Sequence, residues 1–252
     1  MNDQTTFWGH LEVLRWTIIR SVAVVVIFAI AFFCLKEQLF SVVLAPRSSD
    51  FITYKLIGAE PFSIHLMNTG LTEQFMTHMR IAIYAGLLLA LPYVLFELFR
   101  FVAPGLYAGE RRAATWVVCS SYVMFLLGTL VNYFVIFPFT VRFLGTYQVS
   151  EDVANMLTLQ SYIDTLVTMS LMLGLLFELP VVCAILGRLH LVSGKLMRRY
   201  RRHAIVAILI IAAIITPTTD VFTLLVVSIP IWLLYEMSIL LVPKEIKTKY
   251  KS

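Results

Sequence analysis

The sequence predicts an all-helical integral membrane protein that crosses the bilayer six times. Of 252 residues, 60% are hydrophobic and only 14% charged, more apolar surface than a soluble domain of this length buries. The apolar residues also fall in long uninterrupted runs, and a helix needs roughly 20 such residues to cross the hydrocarbon core. Finally, these runs do not alternate polar and apolar residues as the strands of a membrane barrel do, whereas a helix satisfies its own backbone where lipid offers no partner.

Taken in order, residues 1–15 form an N-terminal segment and residues 16–35 the first span, with Arg20 near its start. Phe7, Leu11, Leu14 and Ile18 recur at i, i+4, i+7 and i+11, a spacing that leaves Glu12 and Arg15 on the wet side of an interfacial helix. The segment lacks a small-residue cleavage pattern, so the first span is expected to be its own insertion signal. Residues 36–75 make the one long loop, and Pro46, Gly58, Pro61 and Gly70 predict a folded cap there. The second span, 79–99, contains Pro92, and a short loop follows at 100–112. The third span, 113–141, has no charge. The fourth, 161–189, carries Glu178 mid-span; Pro180 frees the carbonyl of residue 176 and predicts a bend. After a basic loop at 188–203, the last two spans, 204–216 and 222–242, flank the turn TPTTD and lead to the tail 243–252. The pair is expected to be short, because the apolar stretch before the turn falls below the length needed for ~30 Å of hydrocarbon, so the two form a shallow hairpin or thin the bilayer locally.

Lys and Arg accumulate on cytoplasmic flanks. The N-terminal segment with Arg20 at the start of the first span, the 100–112 loop, the 188–203 loop and the tail fall on one side and hold all but Lys36, Arg47, Lys55, Arg80 and Arg142 of the 20 basic residues. Both termini are therefore expected in the cytoplasm. The net charge of +5 reads as topology rather than nucleic-acid binding. No internal repeat or separate soluble domain is visible, so residues 1–252 read as a single polytopic domain.

Enzyme signatures are missing: there is no GxxxxGK[ST], no HExxH and no GxSxG, and the five histidines lack ligand spacing. Cys34, Cys119 and Cys183 lie in or beside apolar spans and read as small hydrophobes. No catalysis, cofactor or metal is expected. Transport or binding at the membrane remains, and there the cytoplasmic acids are informative, because topology explains the bases and not them. They are Glu12, Glu97 and Glu110, with Asp3 and Glu245 in the tails. A bland reading exists for Glu110, in the first turn of span three where the helix dipole favours a carboxylate by about 0.3 to 1 kcal/mol. Glu236 reads as interfacial, and Asp164 as a span-end residue.

Six stretches carry a family resemblance: HLEVLR at 10–15, LAPR at 44–47, FVAPGLYAGERR at 101–112, NYFVIFP at 132–138, FELPVV at 177–182 and TPTTDVFT at 216–223. In order, spacing and side of the membrane they resemble the TatC family, the polytopic core of the twin-arginine protein translocase, over nearly the whole chain. The resemblance implies a receptor in the inner membrane of a prokaryote. It would bind signal peptides with adjacent arginines, associate with small single-span subunits and with itself, and pass folded proteins across by the proton-motive force. Paired guanidiniums select planar carboxylates, each pair gaining on the order of 4 kcal/mol before desolvation at ~4 Å and an effective dielectric of ~20.

By resemblance Glu110 is the loop glutamate that clamps the arginines, Arg15 the N-terminal arginine and Phe101 the loop aromatic. The family's N-terminal glutamate falls on Val13, and Glu12 stands one residue earlier, a rotation of about 100° on a helix. Glu12 is thus expected to be a weaker helper. Glu178 would line a polar indentation that receives a partner helix, and Pro46 and Asp220 would belong to the external face. The competing class, a stand-alone transporter of small solutes or ions, should show repeated halves or several ionisable groups at one depth.

Overall fold

A computed structural model of the chain describes residues 7–62, 64–102, 111–147, 156–189, 191–216 and 220–243. They gather into two compact units, Met1–Val43 with Gly70–Val123, and Leu44–Thr69 with Met124–Ser252.

The first unit is built on α1 (Phe7–Cys34), α2 (Lys36–Val43), α4 (Glu73–Val102) and the start of α5 (Arg111–Val131). Residues 7–15 do not form a separate interfacial helix but continue the first span, since no proline interrupts the run to Cys34. α1 lies along α4, and Gly86 is the reason the two backbones meet. A Cβ at Gly86 would fall 2.6 Å from the nitrogen of Ala29 and 2.9 Å from its Cα, so a side chain there would force the helices apart. Much of α1, including Val22, Ile27 and Ile30, is exposed apolar surface, as lipid contact requires. α4 opens on buried Glu73, whose carboxylate accepts the Gly70 N–H at 2.9 Å. One turn on, the His78 ring stacks on Phe33 at 4.1 Å between centroids. Pro92 lies inside α4 without ending it.

The second unit holds a 3-10 turn (Ala45–Arg47), α3 (Ile52–Leu56), β1 (Leu66–Met67), the end of α5, a π turn (Asn132–Ile136), α6 (Phe137–Thr146) and β2 (Leu157–Thr158). It continues with α7 (Leu159–Leu176), α8 (Leu179–Arg188), α9 (Gly194–Arg199), α10 (Arg201–Ile215) and α11 (Val221–Leu241). Its core joins Ile136, Met169 and Leu173 to Ile208, Val227 and Ile231. Within the buried interior, Asn132 donates from Nδ2 to Ser170 Oγ at 2.7 Å. α5 and α7 approach closely where Gly128 faces the backbone of Leu173 and Gly174.

The expected cap between the first two spans is folded where it lies in this unit. Two residues past the end of α3, Gly58 has a φ of 60°, a left-handed conformation suited to glycine. β1 and β2 pair in parallel, Leu66 with Leu157 and Met67 with Thr158; two residues each carry no periodicity a sequence reading could find. Pro138 supplies no N–H to the carbonyl of Phe134, its partner in an α-helix, and Thr53 Oγ1 donates to that carbonyl instead. The hydroxyl of buried Tyr54 lies 2.9 Å from two carbonyls, Pro46 and Pro138. Burial pushes this hydroxyl above the ordinary tyrosine range despite the Arg142 charge nearby, so it stays a donor.

Among the described residues, five helical segments are long and apolar enough to cross a membrane: Leu11–Cys34, Glu73–Leu98, Trp116–Thr146, Leu159–Arg188 and Val221–Leu241. The remaining expected span is α10, with 15 residues, about 22 Å at 1.5 Å per residue.

Replacing Tyr54 with Phe should lower stability by about 1–2 kcal/mol, because buried carbonyls lose their donor. Thermal unfolding in detergent would register it as a lower midpoint. Thr53→Val should combine with it non-additively, since both hydroxyls hold α3 to the segment from the π turn into α6.

Candidate functional site

The end of the first unit where α1 begins and α4 finishes collects most of the residues expected to bind a ligand. α1 presents Glu12, Val13 and Arg15 outward, all exposed. The Arg15 guanidinium lies 5.6 Å from the ring centroid of Trp16, a cation–π contact worth about 0.5–1 kcal/mol at an exposed site. Glu12 has no cationic partner among the described residues. Because α1 is helical through both positions, Glu12 and Val13 point about 100° apart. Phe101, in the last turn of α4, is half-buried. Glu110 lies outside the described residues.

One acid that the sequence reading noted only as present is structurally engaged. Glu97 is 4% exposed. Its Oε1 lies 3.9 Å from Arg20 Nη1 and 3.9 Å from Arg100 Nη1, and it accepts a hydrogen bond from Tyr93 Oη at 3.2 Å. The cause is Arg20: a guanidinium within an apolar span demands a counter-charge, and α4 supplies one beside α1. The signal was available, since an arginine in a hydrophobic run calls for an acid on a neighbouring helix, and Tyr93 and Arg100 flank Glu97 at i−4 and i+3. Glu97 is thus an internal counter-ion, which leaves Glu12 as the outward-facing acid on α1.

The other expected residues belong to the second unit. Glu178 sits in the two-residue turn between α7 and α8 and is half-buried. The predicted disturbance is present: Pro180 opens α8, and Glu178 N–H bonds the carbonyl three residues back, Leu175, at 3.1 Å. Pro46 is buried in the 3-10 turn with its carbonyl accepting from Tyr54. Asp220 caps α11, its carboxylate accepting the Thr223 N–H at 2.7 Å. Of the acids read as peripheral, Glu236 pairs with Arg201. Among the described residues no group of three His, Cys, Asp or Glu could hold a metal ion, and the three cysteines are unbridged.

Residues 9–230 match the family described as Sec-independent protein translocase protein (TatC). A protein of that name from Desulforapulum autotrophicum is 36% identical over 239 residues, covering 94% of this chain and 84% of its own. Another from Carboxydothermus hydrogenoformans is 34% identical over 245 residues, covering 97% and 95%. Two crystal structures described as the twin-arginine translocase receptor TatC superpose with TM-scores of 0.74 and 0.76. They are 29% and 28% identical, and each covers 92% of this chain, with 97% and 98% of their own lengths.

Glu97→Gln should lower stability by about 1–2 kcal/mol, less than a fully buried pair because both arginines are more than half exposed. Arg20→Gln should recover part of that loss in the double variant. A thermal double-mutant cycle with zero coupling would show that the two side chains do not stabilise each other.

Proposed function

Since the chain belongs to the TatC family of Sec-independent protein translocase proteins, we propose that it is the receptor of a twin-arginine translocase and binds the adjacent arginines of export signal peptides. Glu110 is the principal clamp. Glu12 is the weaker second acid, Arg15 orders the N-terminal segment, and Phe101 packs on apolar residues after the arginines. What supports this reading most is the division of acids in the first unit: Glu97 is neutralised by two internal arginines, whereas Glu12 faces outward without a described partner. An arginine-bearing peptide therefore meets an unneutralised acid on α1, near the chain ends of a unit whose α4–α5 loop carries Glu110.

Both termini and this loop face the cytoplasm in the proposed arrangement, α10 serves as the short sixth crossing, and the proton-motive force drives transport. Glu178, beside a local break in the helix, offers a polar point to a small single-span subunit within the membrane. The chain also associates with further copies of itself in the assembled translocase. Among the described residues, the cluster of ionisable groups near the end of the spans, Arg20, Glu97 and Arg100, is paired within the first unit, which favours the receptor over the solute-transporter alternative.

Binding of a labelled twin-arginine peptide to purified protein tests the reading. Glu110→Gln should weaken binding by roughly 30-fold or more, the scale of truncating one partner of a desolvated charge pair. Glu12→Gln should have a smaller effect, and a peptide with two lysines should bind poorly even to the unaltered protein. Undiminished affinity in Glu110→Gln would remove that residue from the site. Glu178→Ala should leave peptide affinity intact while reducing co-purification of a single-span subunit.

A further inference from the structure

Six of the chain's 20 Lys and Arg residues fall within 188–203. Topology accounts for their number but not for their arrangement. Positions 194, 197 and 201 face α11. Gly194 donates its N–H to Pro243 O at 3.0 Å, Met197 is buried with Ile239 and Val242, and its carbonyl accepts from Tyr235 Oη at 2.8 Å. Arg201 pairs with Glu236. Ser193 caps α9 by accepting the Leu196 N–H. The short α9 is thereby held in place, with Arg201 engaged by its anchorage.

Lys195, Arg198, Arg199 and Arg202 follow i, i+3, i+4 and i+7, and all are exposed. Arg198, Arg199 and Arg202 have no acidic partner among the described residues. Leu196 and Tyr200, 44% and 49% exposed, stand between them. This mixture sits where the apolar run of α8 ends and that of α10 begins, the depth of lipid headgroups. At about 22 Å, α10 is shorter than the ~30 Å hydrocarbon core, a mismatch that local thinning of the bilayer would relieve by bringing headgroups toward the arginines.

We infer that this basic face is a binding site for anionic phospholipid headgroups. Arg198, Arg199 and Arg202 hold the phosphodiester oxygens, to which guanidinium offers paired donors. Leu196 and Tyr200 enter the interface, and the acyl chains lie along exposed Val206, Leu209 and Ile210 of α10. A membrane occupant is favoured over a soluble acidic one because the cations alternate with exposed apolar side chains at the ends of spans.

The test reconstitutes full-length protein in mixed micelles of phosphatidylcholine with phosphatidylglycerol or cardiolipin and measures by mass spectrometry which lipids stay with it. Arg198→Gln/Arg199→Gln leaves four basic residues in the loop, so its orientation signal is kept. Anionic enrichment should fall by an order of magnitude or more in this variant, at about fivefold per charge. Lys55→Gln should change nothing. Should the glutamine pair lower the melting temperature in neutral detergent, Arg202→Gln and the charge-keeping Arg198→Lys/Arg199→Lys replace it. The first should lose about fivefold and the second should retain most of the enrichment. Equal enrichment in unaltered protein and all charge-removing variants overturns the proposal. So does full displacement of the lipid by millimolar inorganic phosphate, which would make the site one for free anions. Preferential capture of an RNA or polyglutamate probe that anionic micelles cannot compete away overturns it as well.

Discussion

Every polar backbone group at membrane depth needs a partner within the protein, and the second unit is organised around the places where a helix alone cannot provide one. Pro138 is the clearest. It lacks the N–H that would return to Phe134, and the hydroxyl of Thr53, far away in sequence, donates to that carbonyl. The next residue of α3, Tyr54, places its hydroxyl beside the carbonyls of both Pro46 and Pro138. A loop segment is thus tied to the helical region because each has what the other lacks. Pro180 is handled locally: the chain tightens at Phe177 and Glu178, and α8 restarts with the proline in its first turn, where no N–H is needed.

Charges obey the same economy. Arg20, caught in an apolar span, draws Glu97 out of the set of acids available to a ligand. Arg201 engages Glu236 and helps hold α9 and the start of α10 to α11. What these pairs leave over are the charges on which both proposals rest: an outward acid on α1, and a basic face on α9 and the first turn of α10. A pairing within the fold therefore selects which charged residues remain able to meet a peptide or a lipid.

The residues proposed for the site could be picked out of the sequence because they lie in local motifs. The motifs around Glu12, Arg15, Phe101 and Glu178 lie in short contiguous stretches, and Pro180 announced its own break. Asp220 was expected only on the external face; that it caps α11 by accepting the Thr223 N–H is a finding of the structure. The role of Glu97 was not read, although lone Arg20 asked for it, because which acid answers depends on the side-by-side placement of α1 and α4. Asn132 with Ser170 was equally hidden, being 38 residues apart in separate helices. The separate interfacial helix expected at the N-terminus came from a true amphipathic spacing; an unbroken helical run carried it into the span instead.

The sequence by itself determined the medium and the secondary structure. Hydrocarbon length and the cost of an unpaired backbone turn apolar runs into helices whatever their neighbours are, and the prolines and glycines mark the interruptions. Tertiary structure alone decided which interruptions are covered by distant side chains, which glycine lets two backbones touch, and which charges cancel. Those outcomes depend on distances between segments remote in the chain, and a pattern read along one strand of residues contains no such distances.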